Sequence, residues 1–104
     1  MKATFTVRNK SYELELGPTE KGEGEKFEPY RASVRGQNGG SVEGTLKLTP
    51  ETLDHARGRA EREGGSVEDL LARACARSLA AEVLIRRLKP DFSFIVDHRW
   101  VDEV

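Results

Sequence analysis

The chain opens on strict alternation of apolar and polar positions. Ala3, Phe5 and Val7 are interleaved with Lys2, Thr4, Thr6 and Arg8, and Tyr12, Leu14 and Leu16 with Ser11, Glu13 and Glu15. A period of two puts each set on its own face, so residues 2–16 predict a β-hairpin with one apolar side. A two-residue loop at Asn9-Lys10 would pair Phe5 with Leu14 and Val7 with Tyr12. The pattern recurs over 27–48. Tyr30, Ala32 and Val34 alternate with Arg31, Ser33 and Arg35, and Val42, Leu46 and Leu48 with Glu43, Thr45 and Lys47. The "GQNGG" between them is a turn signal, and a three-residue loop at Gln37-Asn38-Gly39 pairs Val34 with Val42 and Tyr30 with Leu46. That register sets Arg31 and Arg35 diagonally beside Glu43, which is favourable across strands.

At Thr49-Pro50 the period changes to that of a helix. Thr caps the end and Pro suits the first helical position. Leu53, Ala56 and Ala60 make a thin apolar face, and Gly64-Gly65 stops the helix. Ser66 opens a second helix with a capping-box pattern, "SVED". Val67, Leu70, Leu71, Ala74, Cys75, Leu79, Val83 and Leu84 form its buried stripe, and Pro90 ends it. "DFSFIV" then predicts a strand with Phe92, Phe94 and Val96 on one side. The order defines an α+β fold: two antiparallel β-hairpins over 2–16 and 27–48, two α-helices over 50–63 and 66–88, and a C-terminal strand over 92–98. The charged, glycine-rich "GPTEKGEGEK" at 17–26 has no apolar residue to bury and predicts a mobile loop.

Composition narrows the function classes. A length of 104 residues fits a single domain, 1–104. A net charge of −1 lacks the basic surplus of a general nucleic-acid binder. The lone cysteine, Cys75, excludes a disulfide within the chain. No apolar run approaches a membrane span and the first residues hold no secretory h-region. The expectation is a small cytoplasmic protein of bacterial type with no membrane contact.

Candidate chemistry is sparse. His55 follows Asp54, His98 lies between Asp97 and Arg99, and Cys75 sits in the apolar stripe of the second helix. A Cys-His pair needs a base brought to the thiol and a third group to orient it, and no local spacing does this. Cys75 therefore reads as a small core residue. There is no CxxC or HxxxH spacing, and adjacent Asp97 and His98 on a strand would point to opposite faces. No catalytic, cofactor-binding or metal-binding residue follows, and the chain reads as a non-enzyme.

The strand-helix-helix unit carries more information. "TLKLTPETLDHARGRAEREGGSVEDLLARACARSL" has a strand with alternating Leu46 and Leu48, then "TPE" opening one helix. Gly64 to Ser66 give a G-x-S break, and "VEDLL" opens the next helix. Over residues 44–79 this resembles the ribbon-helix-helix family of DNA-binding regulators and antitoxins. The resemblance implies two chains pairing their strands into a ribbon that enters the major groove. It implies Glu43, Thr45 and Lys47 as outward base readers, and Ser66 and Val67 as backbone donors to a phosphate. The implied partners are DNA, a second copy of the chain, and a protein held by the tail 91–104.

The hydrophobic pattern keeps a second reading open. Residues 28–36 are patterned to pair with strand 41–48 inside the same chain. The chain is then an α+β protein-interaction or assembly domain that does not bind DNA. Its partner would meet a sheet edge or the aromatic tail residues Phe92, Phe94 and Trp100.

Overall fold

The structure, a computed structural model, describes residues 1–85 and 88–104, apart from the side chains of Leu84 and Ile85. Among the described residues it has five strands, β1 (Lys2–Val7), β2 (Lys10–Pro18), β3 (Glu28–Gly36), β4 (Ser41–Leu48) and β5 (Phe92–Val96). The helices are α1 (Pro50–Glu63), α2 (Val67–Ile85) and α3 (His98–Asp102). All strands join one sheet in the order β1-β2-β3-β4-β5.

The α+β class stands, but the hairpins are not separate units. β2 also pairs with β3, through Leu14 opposite Val34 and Leu16 opposite Ala32, so four strands form an antiparallel meander. β5 then adds parallel to β4, with Leu46 opposite Phe94 and Leu48 opposite Val96. The cause is in the sequence pattern. Each of the first four strands has one apolar face, and a single sheet lets all of them cover one core.

The first turn lies one residue earlier than expected. Arg8 and Asn9 are its central residues, at φ 50° and 66°. Val7 thus faces Lys10, Phe5 faces Tyr12 and Ala3 faces Leu14. Two-residue hairpin loops of this kind need positive φ at both central positions. The register also stacks Phe5 on Tyr12, with centroids 5.2 Å apart, a stabilising cross-strand aromatic pair. Partners shift by two, so each side chain keeps its face. The second hairpin has the expected register, Val34 with Val42 and Tyr30 with Leu46. Gly39 supplies its left-handed residue, at φ 84°.

The expected loop 17–26 begins later. Gly17 and Pro18 still pair with Arg31 and Tyr30. Beyond them, Lys21 and Glu25 reach Glu28 and Lys47 at 3.3 and 3.8 Å.

The final strand stops at Val96 rather than running to 98. The Asp97 side chain accepts a hydrogen bond from the Arg99 N–H at 2.9 Å and so caps α3, which the alternation did not reveal. In α1, Thr49 caps the start and Gly64 ends it at φ 75°. Thr52 is fully buried because its hydroxyl donates to the Val96 carbonyl at 2.8 Å. It fills a place on the α1 face that Leu53, only partly buried, does not. The helix expected to run to 88 is described to Ile85 and Leu88 is not helical, while 86–87 and the Leu84 side chain lie outside the described residues.

The helices cover the apolar face of the sheet. Leu14, Leu46, Leu48, Leu71, Leu79 and Val96 are the largest apolar side chains fully buried there. The other face carries Thr4, Glu13, Arg31, Arg35 and Glu43 to solvent. Among the described residues no helix is long and apolar enough to cross a membrane.

Candidate binding pocket between the hairpin turns and helix α2

Both hairpin turns leave the sheet at the same end. There the apolar face is not fully closed. Val7, Tyr12, Val34 and Val42 from the strands, Val83 from α2 and Leu88 beyond it wall a pocket of about 440 Å³. That is within the roughly 300–1,000 Å³ of small-molecule sites, which are concave, mostly apolar and set with a few polar groups. Here those groups are Arg8, Lys10, Asn38 and Ser41.

Two of them hold unusual positions. Lys10 lies opposite Val7 in β1, so it shares the face of Tyr12, Leu14 and Leu16, the face turned to the helices. Arg8 stands at positive φ, a region non-glycine residues seldom enter and that costs of order 1 kcal/mol. Among the described residues neither cation has an ion-pair partner, and no carboxylate lines the pocket.

The residues implied by the ribbon resemblance are distributed differently. Glu43, Thr45 and Lys47 share the polar face of β4. Glu43 is ion-paired to Arg31, and Lys47 to Glu25 at 3.8 Å. Ser66 and Val67 begin α2, on the other side of the sheet. The Ser66 hydroxyl donates to Glu68 at 3.0 Å and accepts from the Asp69 N–H. Glu68's own backbone N–H, then Ser66, hold its carboxyl below the ordinary carboxylate range. The helix start thus already has a cap and a carboxylate of its own. β4 has β3 on one edge and β5 on the other, so both of its edges are paired within the chain.

In the aromatic tail, Phe92 is buried and tilted against Phe94, centroids 5.8 Å apart. Phe94 and Trp100 are half-buried and packed on the core. The one large apolar side chain left exposed among the described residues is Ile95, on the polar face.

The titratable side chains do not assemble around a nucleophile. Cys75 is fully buried in the core, and burial pushes its thiol up to about 12. His55 on α1 is bonded to Asp102 on α3, with the His98 ring edge-on at 5.8 Å. Beside them, Arg59 of α1 donates to the Val101 and Val104 carbonyls at 2.6 and 2.5 Å and so holds the end of α3. These contacts dock α3 on α1. Among the described residues no group of three potential metal ligands is brought together.

Sequence reasoning missed Arg8, Lys10 and Arg59. Lys10 was detectable as a cation continuing the apolar set 12, 14, 16 once the turn is placed at Arg8-Asn9. Arg59 gave no signal, because its acceptors lie more than forty residues away in the chain. Comparison with protein-family models, with characterised proteins and with solved structures finds no match.

Proposed function

We propose that the chain is a non-enzymatic binding domain that holds a small, largely apolar ligand in the pocket between its hairpin turns and α2. One observation carries this: a concavity of about 440 Å³ lined by Val7, Tyr12, Val34, Val42, Val83 and Leu88 together with the polar Arg8, Lys10, Asn38 and Ser41. A void left where a core merely lacked a side chain would be lined by apolar groups alone, without such polar ones. The burial of Cys75 and the use of His55 to dock α3 support a non-catalytic role.

The enclosure of β4 favours this over a two-chain ribbon in a DNA groove. A strand with both edges paired has no ladder of free N–H and C=O groups to offer a second copy. Lys47 among the implied base readers, and Arg31 beside Glu43, are already paired with carboxylates.

Fluorescence of N-phenyl-1-naphthylamine, a neutral apolar probe, tests the proposal. Emission should rise and saturate on adding the protein, and Val42→Trp, which fills the cavity, should abolish the rise. An absent signal, or an equal one from a folded Val42→Trp, would refute it.

A further inference from the structure

We infer that the ligand is an amphipathic monoanion, its apolar part against Val34, Val42 and Val83 and its charged group at Arg8 and Lys10. This rests on the pocket being the binding site and adds the chemistry of what it takes.

Three features point the same way. First, the charge at the mouth is not inherited from the chain as a whole. The chain carries a net charge of −1, yet among the described residues the pocket lining holds two cations and no acid. Second, Lys10 occupies the core-facing side of β2, opposite Val7. Lys10 is exposed at this end of the strand, where a lysine stem can lie along apolar surface with its ammonium in water. Third, Arg8 occupies a left-handed turn position where glycine would sit without strain. Strained non-glycine residues of this kind concentrate at ligand sites. The short turn also fixes the direction in which the guanidinium leaves the backbone.

The two cations and the apolar wall select against other ligands. A cation would be repelled by Arg8 and Lys10. A neutral apolar molecule would gain the apolar wall alone and forgo both charges. A polyanion such as DNA would need a longer basic track, and the neighbouring polar face is laced with Glu13, Glu15 and Glu43. One anionic head on one apolar body satisfies the site, with charge-assisted hydrogen bonds fixing its orientation.

A matched pair of probes separates the charge from the cavity. 8-Anilinonaphthalene-1-sulfonate has the ring system of N-phenyl-1-naphthylamine plus one sulfonate. It should bind about tenfold more tightly than the neutral probe, as expected for one or two charge-assisted contacts. Arg8→Gly should remove most of that advantage, weakening the sulfonate probe several-fold more than the neutral one, with melting unchanged or raised because glycine relieves the turn. Lys10→Gln should act the same way without touching the turn. Equal affinities for the two probes would overturn the anion assignment and leave the pocket intact. A sulfonate preference that survives in both variants would also overturn it. If neither probe binds, both the pocket and its ligand class fall.

Discussion

Gly44 and Phe92 occupy each other's space: a Cβ on Gly44 would stand 2.4 Å from the Phe92 ring and equally close to its carbonyl oxygen. They are partners in the parallel pairing of β4 with β5. The missing side chain lets β5 seal the edge of β4, and so it decides whether that strand is enclosed in its own chain. Gly44→Ala should cost about 1–3 kcal/mol, the range for forcing atoms into a packed site, and more if β5 detaches. A urea midpoint equal to that of the unaltered chain would show that β5 does not lie there.

Arg59 ties α3 to α1 through two backbone carbonyls. Its side chain is only 20% exposed, so the bonds are partly shielded from water. Arg59→Ala should cost about 2 kcal/mol, since hydrogen bonds from a charged donor contribute roughly 1.5–3 kcal/mol. Trp100 lies on α3 and is the only tryptophan. Its emission should shift to the red in the variant before global unfolding. Coincident transitions by Trp emission and far-ultraviolet dichroism, at the original midpoint, would contradict this docking role.

Acid should loosen the same helix. The side-chain hydrogen bond from Arg99, and then the Arg99 backbone N–H, hold the Asp97 carboxyl below its ordinary value of 3.8. A depressed folded value means that the carboxylate stabilises α3 above the unfolded pKa, and that this is lost as pH falls through the folded pKa. Trp100 emission should therefore change only as the pH falls below the ordinary carboxylate range. Asp97→Asn, which keeps a capping oxygen without the charge, should flatten that step. A step of full size in the variant would assign the transition to another group.

Cys75 should be chemically silent in the folded chain. With its thiol pushed to about 12 by burial, almost no thiolate exists at pH 8, and thiolate is the reactive form. 5,5′-Dithiobis(2-nitrobenzoate) should label the protein only at the rate of unfolding, and fully in urea. Prompt labelling in native buffer would place Cys75 outside the core.

The polar-apolar period made most of the sheet readable. Strand faces and the second hairpin's register follow from which residues must share the core side, because a one-residue slip would expose all of them, whereas the β2–β3 pairing that joins the two hairpins was not read. The first turn was less readable. Asn9 suits either central position, and the choice was decided by Phe5 stacking on Tyr12, a contact between strands. The β4–β5 pairing was not legible from period alone, since each parallel partner lies 48 residues on in the chain. Gly44 was its one trace, as a gap in an otherwise apolar set. α3 hid inside an aromatic run, its cap Asp97 resembling one more polar position on a strand. The resemblance over 44–79 matched elements that do exist, β4, α1 and α2. It could not report what lies beside β4, and that neighbour governs what the strand can do. The pocket was legible only in hindsight, because its walls come from five separate elements meeting at one end of the sheet.

The most direct measurement is a residue-resolved titration of the full chain with 8-anilinonaphthalene-1-sulfonate, followed by ¹⁵N–¹H spectra. The amide signals of Val7, Arg8, Lys10, Tyr12, Gly36 and Val42 should shift together and saturate together, while those of Glu15, Thr45 and Lys47 stay in place. Shifts centred on β5 or on the start of α2, or a spectrum that does not change, would contradict the pocket as the binding site.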